Sequence, residues 1–174
     1  MRQAFFITGF NNWGKSTIIA DLFNSRKRFL QGYLYSIRGV NFNTQFTVQS
    51  QSNDDLWGQN YVNKVTERIN RAPDGGQNLF SALCPSLETT NDFVQILTNP
   101  PFTTYDRLYV FLIEFKWEHH ARLIINNILQ SGHQINNVNF IVINADQSLT
   151  DDTQRYDAKI GQIRQELNNI FGTP

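Results

Sequence analysis

A short apolar run, Ala4-Phe5-Phe6-Ile7-Thr8, stops at Gly9; Phe10-Asn11-Asn12-Trp13 follow, and then comes Gly14-Lys15-Ser16-Thr17. Few arrangements satisfy this stretch. The apolar run is long enough for a buried strand, and Ile18, Ile19, Leu22 and Phe23 after it keep helical spacing. Between them, glycine at both ends of a four-residue gap permits backbone conformations and close approaches that a side chain would block. Gly9 lets the chain leave the strand sharply, and Gly14 lets the backbone touch whatever the loop encloses.

The spacing is that of G-x-x-x-x-G-K-[ST], without a departure. Such a loop turns its backbone N–H groups inward around a phosphate chain, and the free N–H groups of the following helical turn favour an anion at the same place. Lys15 supplies a point charge to the terminal phosphates, and the Ser16 hydroxyl is placed to ligate Mg²⁺. Gly9, Phe10, Asn11, Asn12, Trp13, Gly14, Lys15, Ser16 and Thr17 are therefore the expected nucleotide-binding set, with Lys15 also catalytic. Trp13 is placed to pack over a nucleotide or onto the domain surface.

The remaining chain alternates strand and helix patterns. The first helix is expected from about Lys15 to Arg28, with Arg26, Lys27 and Arg28 complementing its dipole. Tyr33 to Ile37 and Phe42 to Val48 read as strands, either a hairpin or one further core strand. Ser52-Asn53-Asp54-Asp55 starts a helix carrying Trp57, Tyr61, Val62, Val65 and Ile69, and Ala72-Pro73-Asp74-Gly75-Gly76 is a turn. Asn78 to Cys84 reads as a buried strand. Thr89, Thr90 or Asn91 caps a short helix through Leu97, which Pro100-Pro101 closes. Leu108 to Ile113 is the strongest strand signal and suits a central parallel strand covered on both faces. A helix is expected from about Glu118 to Gln130 with Gly132 as its C-cap. Val138 to Ile143 reads as another buried strand, and Thr150-Asp151-Asp152 caps a last helix with Tyr156, Ile160, Ile163, Leu167 and Ile170 on its apolar face. The expected architecture is a single α/β domain over residues 1–174, three layers deep, with a mainly parallel five-stranded sheet. Ligands of such sheets lie beyond the carboxyl ends of the strands.

Turnover needs a carboxylate near Mg²⁺ and positive charge at the transferring group. Glu114 follows the strongest strand, in the layout of a Walker B strand with Glu where Asp is usual; Asp54 and Asp55 follow the run ending near Val48. Asp54 and Glu114 are candidate metal ligands and Asp55 a candidate catalytic carboxylate. Helix capping is the competing role for Asp54 and Asp55, a solvated strand end that for Glu114. Ser86 or Glu88, after the Phe80–Cys84 run, is a third possibility. Arg122 is the candidate for transition-state charge, beside Lys116 and Arg38. His119, His120 and His133, with one cysteine, make a zinc site improbable, and the paired histidines read as surface residues.

Loop and alternation together resemble the P-loop NTPase superfamily and, within it, the nucleoside/nucleotide kinase-like group of adenylate, gluconate and adenylylsulfate kinases. Phe80-Ser81-Ala82-Leu83-Cys84-Pro85-Ser86 is similar to the third strand of the gluconate and adenylylsulfate kinases, where a Ser- or Pro-containing segment replaces an acidic Walker B. The resemblance implies an ATP-binding protein (or one using another NTP) that transfers a phosphoryl group, with Mg²⁺, to a small acceptor. It also implies that the loop after the last strand surrounds the base, which makes Asn144 and Asp146 candidate nucleotide contacts. That loop, Asn144-Ala145-Asp146-Gln147, lacks the Asn-Lys-x-Asp guanine signature, and no Asp-x-x-Gly follows a strand, so a switch-type GTPase is disfavoured. The stretch matching that group's arginine-rich lid, Phe115 to Gln130, contains only Lys116 and Arg122 as Lys or Arg. The alternatives are a regulatory or switch-type ATPase controlling a protein partner, and a nucleotide-binding module without turnover.

Lys plus Arg equals Asp plus Glu at 15 each, so no broad electrostatic surface for nucleic acid or anionic membrane is expected. A single cysteine, Cys84, forms no disulfide within the chain. With no signal-peptide pattern and no apolar run of spanning length, a cytoplasmic location is expected.

Overall fold

Phe5 and Phe6 are adjacent and both fully buried. Side chains alternate across a strand, so this requires a core on each side of the sheet. The computed structural model describes residues 1–118 and 120–172 and has that arrangement. In chain order it contains β1 (Gln3–Thr8), α1 (Lys15–Leu22), β2 (Tyr35–Ser36), β3 (Gln45–Gln49), α2 (Asn53–Leu56), α3 (Gly58–Arg71), β4 (Asn78–Leu83), α4 (Phe93–Leu97), a 3₁₀ turn at Phe102–Thr104, β5 (Arg107–Ile113), α5 (Ile125–Gly132), β6 (Val138–Ile143) and α6 (Asp152–Phe171).

The strands form one six-stranded sheet in the order β2-β3-β4-β1-β5-β6. All neighbours are parallel except β2 and β3, which pair antiparallel through Tyr35↔Phe46 and Ser36↔Gln45. The expected five strands become six because the Tyr33–Ile37 and Phe42–Val48 runs fold back on one another, adding a two-residue edge strand. Phe5 stacks on Phe80 and Tyr109 on one face of the sheet, where Phe23 after α1 and Phe171 at the end of α6 cover it. On the other face Phe6 meets Phe102, which stacks in turn on Tyr61 of α3. Helices thus lie on both faces. At the β6 margin, Gln162 of α6 donates to the Val142 carbonyl (3.1 Å) and accepts from the Asn144 and Ala145 N–H groups (2.8 and 2.9 Å). Among the described residues no helix is long and apolar enough to cross a membrane.

Several boundaries differ from expectation. The first helix stops at Leu22 rather than near Arg28, because Asn24 and Ser25 take left-handed φ values (67° and 55°) and the Arg26 N–H folds back to the Ala20 carbonyl. The Arg26–Arg28 run therefore lies beyond the helix, with the Arg26 guanidinium 5.1 Å from the Tyr35 ring centre. The helix capped by Ser52 breaks at Trp57 (φ 63°) into α2 and α3. The cap of α4 is Asp92, whose carboxylate accepts from the Val94 and Gln95 N–H groups, not Thr89, Thr90 or Asn91.

The largest correction concerns the helix expected from Glu118. Residues 114–123 form a hairpin instead: Phe115 pairs antiparallel with Arg122, the Lys116 N–H donates to Ala121 O (3.0 Å) and the Leu123 N–H to Glu114 O (2.7 Å). Only Ile125–Gly132 is helical, and Gly132 is its last residue rather than a cap. A Cβ there would come within 2.3 Å of the Phe140 ring, so this glycine is a place of close packing between α5 and β6.

A sharper contact occurs at Gly58, where a Cβ would stand 2.0 Å from the Thr90 carbonyl oxygen. Backbone cannot yield as a side-chain tip can. Gly58→Ala is expected to lower stability by about 1–3 kcal/mol in urea unfolding, the usual range for an overpacked interior.

Candidate functional site

Because the five core strands run parallel, their carboxyl ends share one margin of the sheet. The loops leaving them begin at Gly9, Ser50, Cys84, Glu114 and Asn144. The first is tightly wound. Asn12 and Gly14 both have left-handed φ (60° and 78°), and a Cβ built on Gly14 meets nothing within 4 Å, so glycine is required there by its φ value and not by crowding. At Gly9 the reason is crowding, since a Cβ would lie 3.1 Å from that of Trp13. Trp13 is nearly buried and packs edge-on to Phe10.

Lys15 opens α1, yet its side chain is almost fully buried. Its Nζ donates to the Phe10 carbonyl (2.8 Å), which ties the far side of the loop back to the helix, and to Asp54 Oδ2 (3.3 Å). Two charges brought out of water need each other and further polar partners. Asp54 has Ser52 Oγ beside Oδ1, and Lys15 has the loop carbonyl. Residues 15–17 form the first turn of α1, whose N–H groups have no acceptor within the helix. Left-handed φ at Asn12 and Gly14, an enclosed ammonium and the free first turn of α1 thus lie together at the end of β1.

The placement of Asp54 comes from its neighbour. Asn53, wholly buried, accepts from the Cys84 N–H (2.6 Å) and donates to the Cys84 carbonyl (3.1 Å), so its amide continues the β3–β4 ladder past the end of β3. Asn53 Nδ2 also donates to Asn91 Oδ1, which receives the Gly58 N–H. One amide thereby fastens the start of α2 to β4 and to the loop after it. Leu83 O in turn accepts the Gly9 N–H (3.2 Å). The two rival acidic residues have separate roles: Asp55 accepts the Ser52 N–H (2.9 Å) in a capping box, while Asp54 reaches Lys15.

Other candidates sit apart. Glu114 is buried and pairs across the hairpin with Arg122 (Oε1 to Nη2 2.6 Å), whose own side chain is 70% exposed. Together with Leu123 to Asn126 they border a separate cleft of about 330 Å³. Asp146 is fully buried, with Lys159 Nζ at 3.0 Å and Arg155 Nη2 at 3.6 Å. Asn144 gives its N–H to Gln162. Ser86 joins Phe10, Pro85, Leu87, Ile124, Asn127 and Ile128 around a mainly apolar groove of about 300 Å³, and Glu88 is exposed. Arg38 and His120 are exposed; His133 is exposed beside the Gln130 carbonyl; His119 lies outside the described residues. Among the described residues no group of three or more His, Cys, Asp or Glu is gathered as a metal site.

The main cavity, about 640 Å³, runs from the loop (Asn12 to Gly14, Ser16, Thr17) to Lys116, Trp117, Glu118, Tyr156 and Lys159. Lys116 was a candidate for positive charge; the last four were not among the expected contacts. A sequence signal existed for one of them: Arg155 and Lys159 are four apart beside the apolar stripe of α6, so cations stand where that helix meets the protein.

Compared with known proteins, the chain matches no family model, no curated protein and no solved structure.

Burial pushes the Cys84 thiol up to about 12, and Asp54 adds to the effect. Since only the thiolate attacks, iodoacetamide at pH 8 is expected to label native Cys84 no faster than the protein unfolds, with full labelling in denaturant. The two acidic residues are separable as well. Asp55→Ala should cost about 0.5–2 kcal/mol in thermal unfolding through the lost cap, and should leave the Lys15–Asp54 pair in place.

Proposed function

We propose that this chain binds a nucleoside triphosphate, ATP or another NTP, with its polyphosphate in the Gly9–Thr17 loop, and transfers the terminal phosphoryl group to a small acceptor. The observation that carries this reading is the Lys15 ammonium, enclosed at the loop and held between the Phe10 carbonyl and the Asp54 carboxylate. An ammonium held there is poised to exchange those partners for phosphate oxygens, and the left-handed Asn12 and Gly14 suit a backbone wrapped around an anion. The reading rests on the resemblance of the loop spacing to that of P-loop kinase-like proteins.

The residues present fit a magnesium-bound polyphosphate: Ser16 is exposed on the main cavity and Asp54 is the carboxylate already at Lys15. These two would hold Mg²⁺, which when bound neutralises charge building on the phosphate oxygens. Lys15 stabilises charge on the terminal phosphate, and the loop amides orient the chain. The acceptor has a seat in the apolar groove that meets the loop at Phe10.

A second reading, slow hydrolysis in a regulatory ATPase with a protein partner, draws support from the 114–123 hairpin. Its one arginine is engaged by Glu114 and mostly exposed, which leaves no arginine-rich cover to exclude water from the phosphates. Phosphate release from ATP by the protein alone favours this reading; ADP formation only when candidate acceptors are added favours the first.

Lys15→Ala is expected to abolish Mg·ATP binding in calorimetry while circular dichroism stays native, and unchanged affinity would refute both readings. Asp54→Asn should tighten metal-free polyphosphate binding, by removing a competing anion, yet reduce turnover with Mg²⁺. The two effects have opposite signs and are read from one protein preparation.

A further inference from the structure

The cavity that begins at the loop ends at an aromatic ring. Trp117 lines it, is 48% exposed, and stands at the tip of the 114–123 hairpin. A single exposed ring is ordinary on a protein surface, but this one lines the same cavity as the loop and two lysines. Here the backbone is fixed from below. Arg155, only 2% exposed, donates through Nη1 to the Trp117 carbonyl and through Nη2 to the Lys116 carbonyl (2.6 Å). Its charge is met by buried Asp146 at 3.6 Å and by Asp152 at 3.5 Å. The hairpin is closed at its neck by the Glu114–Arg122 pair, with the Arg122 guanidinium 5.6 Å from the Phe115 ring centre. Two ammonium groups, Lys116 and Lys159, share the cavity wall with the indole. Lys159 is itself held by Asp146 at 3.0 Å.

We propose that Trp117 is the stacking platform for the nucleobase, with Arg155 as the residue that positions it. An indole face accepts any base ring, and neighbouring ammonium groups provide donors to ring nitrogens or carbonyl oxygens at the base edge. Asp146 then serves the base at one remove: buried beneath the cavity, it anchors both the cation that holds the hairpin and the cation that lines the wall. The proposal rests on the reading of the loop as a polyphosphate site, and it assigns the other end of the same cavity.

Magnesium tripolyphosphate, which has phosphates and no base, separates the two ends. Calorimetric titrations of tripolyphosphate, ATP and GTP would be run on the wild type and on Trp117→Ala, Trp117→Phe, Arg155→Lys and Lys15→Ala, each checked for a native melting transition. Trp117→Ala is expected to weaken both nucleotides about tenfold and leave tripolyphosphate unchanged, while Trp117→Phe restores most of the loss. Arg155→Lys should lower the ratio of nucleotide to tripolyphosphate affinity, which a purely structural role would leave constant. If Trp117→Ala binds nucleotides like the wild type while Lys15→Ala loses all three ligands, the platform is refuted and the phosphate site stands. Should Lys15→Ala bind all three normally, or the wild type bind none, the phosphate reading fails and the platform with it.

Discussion

A lysine ammonium enclosed by protein has to be answered by an acceptor and a counter-charge, or it will shed its proton. Lys15 has both, and much of the molecule can be traced from that requirement. The acceptor is a carbonyl of the loop that precedes it, so the loop must curl back; the counter-charge is 39 residues further along the chain, past β2 and β3, so the sheet must bring that segment alongside. Strand order does the second. β4 lies between β1 and β3, and a single buried asparagine spans the remaining gap by bonding to the main chain of Cys84 as a strand would. Charge pairing, loop shape and topology are thus one constraint seen at three scales.

The same economy governs the other end of the cavity. Arg155 and Lys159 are buried cations on α6, and both lean on Asp146 at the end of β6. Burial lowers the pKa of Lys159 from the ordinary lysine value, and the neighbouring carboxylate pulls the other way. Removing Asp146 would leave two cations without their shared anion, which is why this carboxylate is better understood as a foundation than as a ligand contact.

How much of this could be read from the chain depended on how local the cause was. The spacing of Gly9, Gly14, Lys15 and Ser16, the buried strands at 78–83 and 107–113, and the Asp151 cap of α6 arise from neighbours in sequence, and their patterns are plain; the strand at 138–143 was equally plain, but it lies at the sheet margin and is mostly half-buried rather than buried. Asp54 and Asp55 were equivalent in sequence, because what separates them is a capping box on one side and a lysine on a distant helix on the other. The 114–123 hairpin was hidden for a different reason: Ala121, Ile124, Ile125, Ile128 and Leu129 keep helical spacing, but the Glu114–Arg122 pair and the Arg155 clamp override it at the amino-terminal end. The clamp crosses nearly forty residues, and no local pattern records it. Asn53 and Trp117 were missed alike, since each owes its importance to a partner brought near only by the fold.

Both margins of the sheet are blunted. On one side the direction reverses in a strand of two residues, too short to present a row of free amides; on the other the Gln162 carboxamide occupies main-chain groups at the end of β6. An open β margin is a template on which another chain can add, and the usual outcome is aggregation. Gln162 thus shortens the open edge of β6, and an asparagine- and glutamine-rich chain has reason to keep such openings small.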